Sequence, residues 1–433
     1  MPAPREVRAH SALLLLTVWL AYYPAARKTF VSEDFVIFGS LSRSGLWETL
    51  WKNLTGPWLD LAIVDFYRPL STLILHAEWT LFGLWHPGYV LTHAALHGLC
   101  AVALARLLLA LCEPESIHAS LSAHLLALLW ALHPLHPNAV AFVASFATLF
   151  AAALVLAGLL LVLVTRRPRA GAIVLLLACL CYEQAVIGPA LLLLLALATR
   201  QVDWRSLAPC LAVPPIFLLL RWAALGVVVG GYSETQDRLE SFPLVDGVTT
   251  LGDQVRSTLW PSWSFPLPWL VLAALILGVT ALAIRERASL AAAGAVWFVL
   301  AALPFGFVDI VPANGRYLYL SSVGLVLIVW GLAKTARART LLLACTAGLV
   351  LLAGFSLQGR LGELQRASVE ASEIAGASYG LARLAALQAP GDEAKFPVVV
   401  LRVPDFVRGQ KGEPMAQILH WGLADATRPP FWL

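Results

Sequence analysis

The chain has 433 residues, of which 59% are hydrophobic and 13% are charged. Soluble domains carry about 25% charged residues, so this composition excludes an ordinary soluble protein and predicts a polytopic α-helical membrane protein. The formal net charge is +4, and the basic residues form no stripe of the kind that binds nucleic acid. The six cysteines lie mostly inside apolar runs, which favours buried small side chains over a metal or disulfide framework.

The first apolar run covers residues 11–23, and the acidic pair Glu33 and Asp34 follows it. The run is about one membrane span long, and Arg5 and Arg8 before it place the N-terminus in the cytosol. A secretory signal peptide is the alternative, because a basic start and an apolar middle are its signature. In both interpretations the acidic pair lies on the outer side, where adjacent carboxylates indicate a functional site.

Residues 27–86 are predicted to form a first outer loop that lies on the membrane. Residues 46–51 are amphipathic and contain two tryptophans, which suits an interfacial helix. The apolar stretch 70–84 is short for a span and contains His76 and Glu78, so it is also predicted to be interfacial.

Apolar runs then alternate with short polar loops, which predicts about eleven spans of roughly 15–25 residues. Loops at 166–169, 200–205, 285–287 and 334–339 are basic and are therefore assigned to the cytosol. The stretch around Glu183 is predicted to hold two short helices, because a single span there would place the later basic loops outside. The predicted spans cover residues 11–23, 90–111, 119–132, 140–164, 170–181, 185–198, 207–229, 268–284, 291–305, 317–332 and 341–355.

Two domains follow from this pattern. Residues 1–355 form the membrane domain, with a second outer loop at 230–267 that contains an amphipathic segment. Residues 356–433 are predicted to form a small α/β domain on the outer side, with a helical stretch at 357–387 and a buried strand at 396–401.

On this topology the unusual polar residues fall on one side of the membrane. Carboxylates can accept a proton from a hydroxyl, arginines can bind a phosphate with two hydrogen bonds, and histidines can orient a phosphate or ligate a metal. Together they indicate a transfer reaction on a lipid-phosphate substrate. The set comprises Glu33, Asp34, Tyr67, Arg68, His86, His133, His136, Asn138, Glu183, Gln184, Asp309, Asn314 and Arg316.

Each of these residues also has a simpler explanation. His133 and His136 suit helix ends, Glu183 suits a salt bridge, and Arg316 suits an interfacial anchor. The remaining histidines of the apolar segments are interpreted as core or interface residues with satisfied hydrogen bonds. They are His76, His93, His97 and His124.

Five motifs stand out: Glu33-Asp34, Tyr67-Arg68-Pro69-Leu70, Leu132-His133-Pro134-Leu135-His136, Tyr182-Glu183-Gln184-Ala185 and Arg316-Tyr317-Leu318-Tyr319-Leu320. They resemble the GT-C class of membrane glycosyltransferases. More narrowly, they resemble the protein O-mannosyltransferase group, which includes the transmembrane-and-TPR O-mannosyltransferases and their bacterial relatives. The resemblance covers residues 10–335, and no tetratricopeptide array follows.

The resemblance implies an inverting glycosyltransferase that moves a sugar from a polyprenyl-phosphate donor to a protein, lipid or glycan acceptor. Asp34 would be the base, and Glu33 would assist it or bind a divalent cation, with metal dependence left open. Arg316, His133 and His136 would face the donor phosphate, in one site with Tyr67, Arg68, Glu183 and Tyr317. The protein would lie in a bacterial inner membrane with this site facing the periplasm.

Two other classes stay open. A transporter or flippase is the first, although the chain shows no inverted repeat. A catalytically inactive membrane scaffold of the same fold is the second. It is favoured by the segment after Asn138, where the family has charged residues and this chain has none.

Overall fold

A computed structural model describes residues 4–27, 30, 33–60, 64–111, 117–200, 204–228, 231, 289–305, 312–333, 346, 348–354, 356–362, 364–366, 406–408 and 414–417. The predicted span 268–284, the predicted strand 396–401 and nearly all of the second outer loop lie outside these residues.

The described residues are mostly helical. The helices are α1 (Pro4–Tyr22), α2 (Glu33–Arg43), α3 (Leu46–Thr55), α4 (Pro69–Phe82), α5 (His86–Leu111), α6 (Ile117–Ala131), α7 (Pro137–Ala141), α8 (Phe146–Leu163), α9 (Pro168–Cys181), α10 (Gly188–Thr199), α11 (Trp204–Leu211), α12 (Val213–Leu225), α13 (Ser289–Ala302) and α14 (Ser322–Leu332). Short 3₁₀ turns are formed by Tyr23–Arg27, Trp58–Asp60, Val143–Ser145, Glu183–Ile187, Leu303–Phe305 and Pro312–Leu318. Near the C-terminus, β1 (Phe406–Arg408) pairs antiparallel with β2 (Pro414–Gln417).

Four helical stretches in the described part of the chain are long and apolar enough to cross a membrane. They are Arg5–Arg27, His86–Leu111, Val143–Leu163 and Leu207–Leu225. Each overlaps a predicted span, and shorter apolar helices of 10–17 residues occupy other predicted spans. These lengths and compositions support the prediction of a helical membrane protein.

The helix ends that carry the predicted polar residues gather at one end of the bundle. At that end, the Tyr22 hydroxyl donates to the carbonyl of Ala131 at 3.1 Å, which joins the C-termini of α1 and α6. At the opposite end, the Ser289 hydroxyl donates to the carbonyl of Ala198 at 2.9 Å, which joins the start of α13 to the end of α10. Arg200 lies at this second end, away from the predicted site.

The span predicted over residues 140–164 is divided in the structure. Its first part belongs to α7, and Phe142 then adopts an extended conformation with φ −97° and ψ 128°. The turn Val143–Ser145 follows, and α8 begins only at Phe146. The candidate membrane-spanning stretch Val143–Leu163 lies within the predicted span, with this turn at its start.

The two short helices predicted around Glu183 are present. α9 ends at Cys181, and Tyr182 is extended with φ −156° and ψ 127°. The turn Glu183–Ile187 then leads into α10. This reversal places Glu183 at the end of the bundle that carries the other polar residues.

Helix α3 has its polar side inward and its apolar side outward. Thr49 and Asn53 are buried, whereas Trp47 and Trp51 are 79% and 67% exposed. Asn53 accepts a hydrogen bond of 2.8 Å from the Thr72 hydroxyl of α4. An exposed pair of tryptophans over a polar contact suits a helix that faces the lipid interface, as predicted for residues 46–51.

The helices α13 and α14 touch through glycine. A Cβ atom added to Gly294 would lie 2.6 Å from the carbonyl oxygen of Gly324, so no larger residue fits there without moving a backbone. This contact fixes α14, and with it the preceding turn Pro312–Leu318, against α13.

Candidate functional site

The acidic pair opens a helix rather than an extended loop. Helix α2 begins at Glu33, so both carboxylates belong to its first turn. Carboxylates are favourable in the first turn of a helix, where the backbone amides carry partial positive charge. Asp34 is 1% exposed, and its Oδ1 accepts the backbone N–H of Ala144 at 2.8 Å. The side chain of Glu33 lies outside the described part of the structure.

Arg316 binds the same turn as Asp34. Its Nη1 donates to the hydroxyl of Ser145 at 3.1 Å, and its Nη2 donates to the hydroxyl of Tyr317 at 3.3 Å. The guanidinium also lies 5.1 Å from the centre of the Tyr317 ring. Consecutive residues, Ala144 and Ser145, therefore hold the predicted base and the predicted phosphate ligand on one short segment.

Glu183 accepts hydrogen bonds from the motif Tyr67-Arg68. Its Oε2 accepts Arg68 Nε at 2.7 Å, and its Oε1 accepts the backbone N–H of Tyr67 at 2.8 Å. The Glu183 side chain is 22% exposed and the Arg68 side chain 10%. The structure thus brings these three predicted residues together, with Glu183 in the salt-bridge role that the sequence analysis had left open.

Arg221 completes this ion cluster, and sequence reasoning missed it. Its Nη1 lies 3.6 Å from Glu183 Oε1, and its Nη2 donates to the carbonyl of Asp65. Arg221 is 3% exposed and lies inside the candidate span Leu207–Leu225. A lone arginine within a long apolar run was the available signal, because such residues are costly unless paired.

Stacked side chains connect Arg68 with Arg316. The Arg68 guanidinium lies 4.4 Å from the Tyr182 ring centre, and Tyr182 stacks on Phe305 at 6.4 Å. Phe305 in turn stacks on Tyr317 at 4.8 Å, and Tyr317 contacts Arg316. Burial raises the pKa of the Tyr182 hydroxyl, so it stays protonated between the two cations. The two predicted arginines therefore belong to one connected layer.

Tyr67 and Gln184 fix the backbone around the ion cluster. The Tyr67 hydroxyl donates to the carbonyl of Leu54 at 3.4 Å, and burial raises the pKa of this hydroxyl. The Gln184 amide donates to the carbonyl of Ala301 at 2.6 Å, which joins the turn after Glu183 to α13. Both side chains therefore hold backbone segments next to the ion cluster, and these contacts give neither residue a catalytic role.

The histidines of the Leu-His-Pro-Leu-His motif pack in an aromatic cluster. His136 is fully buried, with its ring centre 4.8 Å from those of Trp130 and Tyr319. His133 Nδ1 accepts the backbone N–H of Leu135 at 3.3 Å. Burial lowers the pKa of His133 to about 4, so its ring is neutral near pH 7. Toward a phosphate it would act as a hydrogen-bond donor and not as a cation.

The other members of the predicted set are placed less directly. His86 is buried with its ring centre 5.0 Å from that of Phe30. Asn138 is also buried, and its backbone carbonyl accepts a hydrogen bond of 3.4 Å from the backbone N–H of Phe142. Asp309 and the side chain of Asn314 lie outside the described residues.

The histidines interpreted as satisfied core residues do have partners. His76 Nε2 lies 3.2 Å from the Thr49 hydroxyl, and His97 Nε2 lies 2.9 Å from the carbonyl of Ala131. His124 Nδ1 lies 2.8 Å from the carbonyl of Ser120. His93 contacts the Glu78 carboxyl group at 3.2 Å and the carbonyl of Val140 at 3.3 Å.

A metal site is not formed by the side chains that the structure describes. Among them, no three histidine, cysteine, aspartate or glutamate side chains cluster closely enough to hold a metal ion. The proposal that Glu33 and Asp34 bind a divalent cation stays a prediction, because only Asp34 has a described side chain.

No family model, curated protein or solved structure matches this chain. The functional interpretation therefore rests on the motifs and on the contacts between them.

Proposed function

We propose that the protein is a membrane glycosyltransferase that moves a sugar from a polyprenyl-phosphate donor to an acceptor outside the cytosol. The observation that carries this proposal is the turn Val143–Ser145, which binds Asp34 through one residue and Arg316 through the next. A carboxylate and a guanidinium held on one segment supply a proton acceptor and an anion ligand. Sugar transfer from a phosphate can use both groups, one to accept the proton of the acceptor hydroxyl and one to bind the phosphate.

In the proposed step an acceptor hydroxyl attacks the anomeric carbon of the donor sugar. The bond from this carbon to the phosphate oxygen breaks, and polyprenyl phosphate leaves with the electron pair. Asp34 takes the proton of the acceptor hydroxyl, and Arg316 stabilises the negative charge of the leaving phosphate. A single displacement of this kind inverts the configuration at the anomeric carbon.

Burial of Asp34 constrains how the acceptor arrives. In the ligand-free structure Asp34 is 1% exposed, so a hydroxyl reaches it only after neighbouring side chains move. In this structure the Ala144 N–H donates to the carboxylate and fixes its orientation. A divalent cation held by Glu33 and Asp34 would also stabilise the negative charge of the leaving phosphate. The proposed step does not require this cation.

The wider architecture is part of the proposal. We place about eleven spans in residues 1–355 and a small α/β domain in residues 356–433, with the first outer loop at 27–86. The site then faces outward, which in a bacterial inner membrane is the periplasm. The basic composition of the loops assigned to the cytosol supports this orientation.

Transfer of radiolabelled sugar from polyprenyl phosphate in proteoliposomes tests the proposal. We expect product that depends on the lipid-linked donor and that is lost in Asp34→Asn. Movement of the intact donor between leaflets without any product would favour a flippase. Donor binding with neither transfer nor movement would favour the inactive scaffold.

The proposed orientation predicts which ends of the bundle accept a membrane-impermeant thiol reagent. Gly45→Cys, in the first outer loop, should be labelled from outside, and Thr165→Cys, in a basic loop, only after the membrane is opened. Both positions are exposed, and a Cβ at Gly45 has no neighbour within 4 Å. The native cysteines are replaced by alanine. Labelling of both variants from the same side would contradict the assignment.

Arg316→Lys is predicted to weaken binding of a polyprenyl-phosphate analogue about tenfold although the charge is kept. The reason is that lysine lacks the planar fork that reaches Ser145 and a phosphate together. Titration of the analogue into detergent-solubilised protein measures the effect, and the exposed Arg205→Lys serves as the matched control. Unchanged affinity in Arg316→Ala would remove Arg316 from the donor site.

A further inference from the structure

Glu78 and His93 form a buried pair next to the candidate site. Glu78 on α4 is 5% exposed, and His93 on α5 is 1% exposed. His93 Nε2 lies 3.2 Å from Glu78 Oε1, and His93 Nδ1 lies 3.3 Å from the carbonyl oxygen of Val140. Burial of a carboxylate and an imidazole is costly unless each has a partner, so both contacts stabilise the pair.

His93 holds both sides of the break between α7 and α8. Val140 belongs to the last turn of α7, and the His93 ring also stacks on Phe146, the first residue of α8. The two ring centres are 6.2 Å apart, with 25° between the ring planes. Between these two contacts lies the turn Val143–Ser145, which carries the amide and the hydroxyl that bind Asp34 and Arg316.

We infer that Glu78 and His93 are positioning residues: Glu78 orients the His93 ring, and His93 fixes the turn that aligns Asp34 with Arg316. The catalytic meaning of this alignment rests on the proposed glycosyl transfer. The positioning itself does not, because it concerns the backbone of residues 140–146. An experiment can therefore refute the positioning role without refuting the proposed glycosyl transfer, and the reverse.

The hydrogen bonds of Glu78 and His93 allow two arrangements of their protons. A carbonyl oxygen only accepts, so His93 Nδ1 carries a hydrogen toward Val140. His93 Nε2 and Glu78 then share one proton, either as imidazolium with carboxylate or as neutral imidazole with carboxylic acid. The amide of Glu78→Gln can donate to Nε2 of a neutral ring, so this variant is expected to keep the ring in place.

Hydrogen exchange of the full-length protein in detergent tests the positioning. In His93→Asn the amide nitrogen lies near the position of Nδ1 and can still reach Val140, whereas in His93→Gln it lies near the position of Nε2 and cannot. We expect exchange in residues 140–146 to rise about tenfold in His93→Gln, as for loss of a buried hydrogen bond. In His93→Asn exchange should rise less than in His93→Gln, because the contact with Val140 is kept while those with Glu78 and Phe146 are lost.

Further variants separate positioning from general damage. Glu78→Leu removes the group that orients the His93 ring and should speed exchange of the same segment, whereas Glu78→Gln should not. His124→Gln is the matched control, because His124 is also buried and bound to a carbonyl, that of Ser120, but contacts α1 instead of the turn. It should leave residues 140–146 unchanged.

The turnover number for sugar transfer should fall in the same order, lowest in His93→Gln and nearest to wild type in Glu78→Gln. Equal exchange in His93→Gln and wild type would overturn the positioning role, whatever the transfer assay shows. Altered exchange in His93→Gln, combined with no transfer by the wild-type protein, would instead uphold the positioning role and refute the proposed function.

Discussion

Asp34→Asn is expected to lower the rate of sugar transfer by about 10²–10⁴-fold, the range typical of a lost general base. Asparagine keeps an oxygen that can accept the Ala144 N–H, so the turn Val143–Ser145 should stay in place. The substitution removes the ability to take a proton, together with the negative charge of the carboxylate. The measurement is transfer of radiolabelled sugar from polyprenyl phosphate, made alongside donor binding and thermal unfolding, which should both match wild type.

Two further variants sharpen this prediction. Glu33→Gln should cost less activity than Asp34→Asn, or change the response to divalent cations. Asp34→Ala removes the acceptor for Ala144 and should also lower stability by about 1–3 kcal/mol. Full activity in the double variant Asp34→Asn with Glu33→Gln would exclude the acidic pair from the mechanism.

Glu183→Gln is expected to lower the free energy of unfolding by about 3 kcal/mol, within the range for breaking a buried ion pair. The amide can still accept from Tyr67, but the charge that compensates Arg68 and Arg221 is lost. Thermal or denaturant unfolding in detergent provides the measurement. Some activity loss should follow, because Arg68 connects through Tyr182 to the layer that contains Arg316.

An exposed ion pair provides the control for Glu183. Glu48 and Lys52 on α3 are 3.2 Å apart, with side chains 58% and 45% exposed. Glu48→Gln should therefore change stability by less than about 0.5 kcal/mol. If Glu183→Gln lowered the free energy of unfolding as little as Glu48→Gln, the ion cluster around Glu183 would not stabilise the fold. That result would favour the alternative role of Glu183 as a substrate ligand.

The sequence predicted those features that local pattern determines. The reversal at Glu183 followed from the lengths of two apolar runs and the charge of later loops. The outward tryptophans of α3 followed from their spacing. Glu183 also has two explanations at the sequence level, salt bridge or substrate ligand, and its contacts with Arg68 and Arg221 establish only the first.

The contacts that build the site were not predictable in the same way. The sequence does not mark Ala144 or Ser145 as partners of Asp34 and Arg316, because neither residue is charged and neither is a glycine or proline. Their role arises from packing between segments far apart in the chain. Arg221 was different, since a single arginine in an apolar run signals a buried partner, although the sequence does not say which.

The glycine contact between α13 and α14 brings the backbones of these two helices directly together. At Gly294 and Gly324 the two backbones are in contact with no side chain of either glycine between them, so the helices pack closely there. Arg316 precedes α14 and is carried by it, while Ser145 precedes α8. A tilt of this helix pair relative to α8 would therefore change the distance between the guanidinium and the hydroxyl, which couples the site to helix packing outside it.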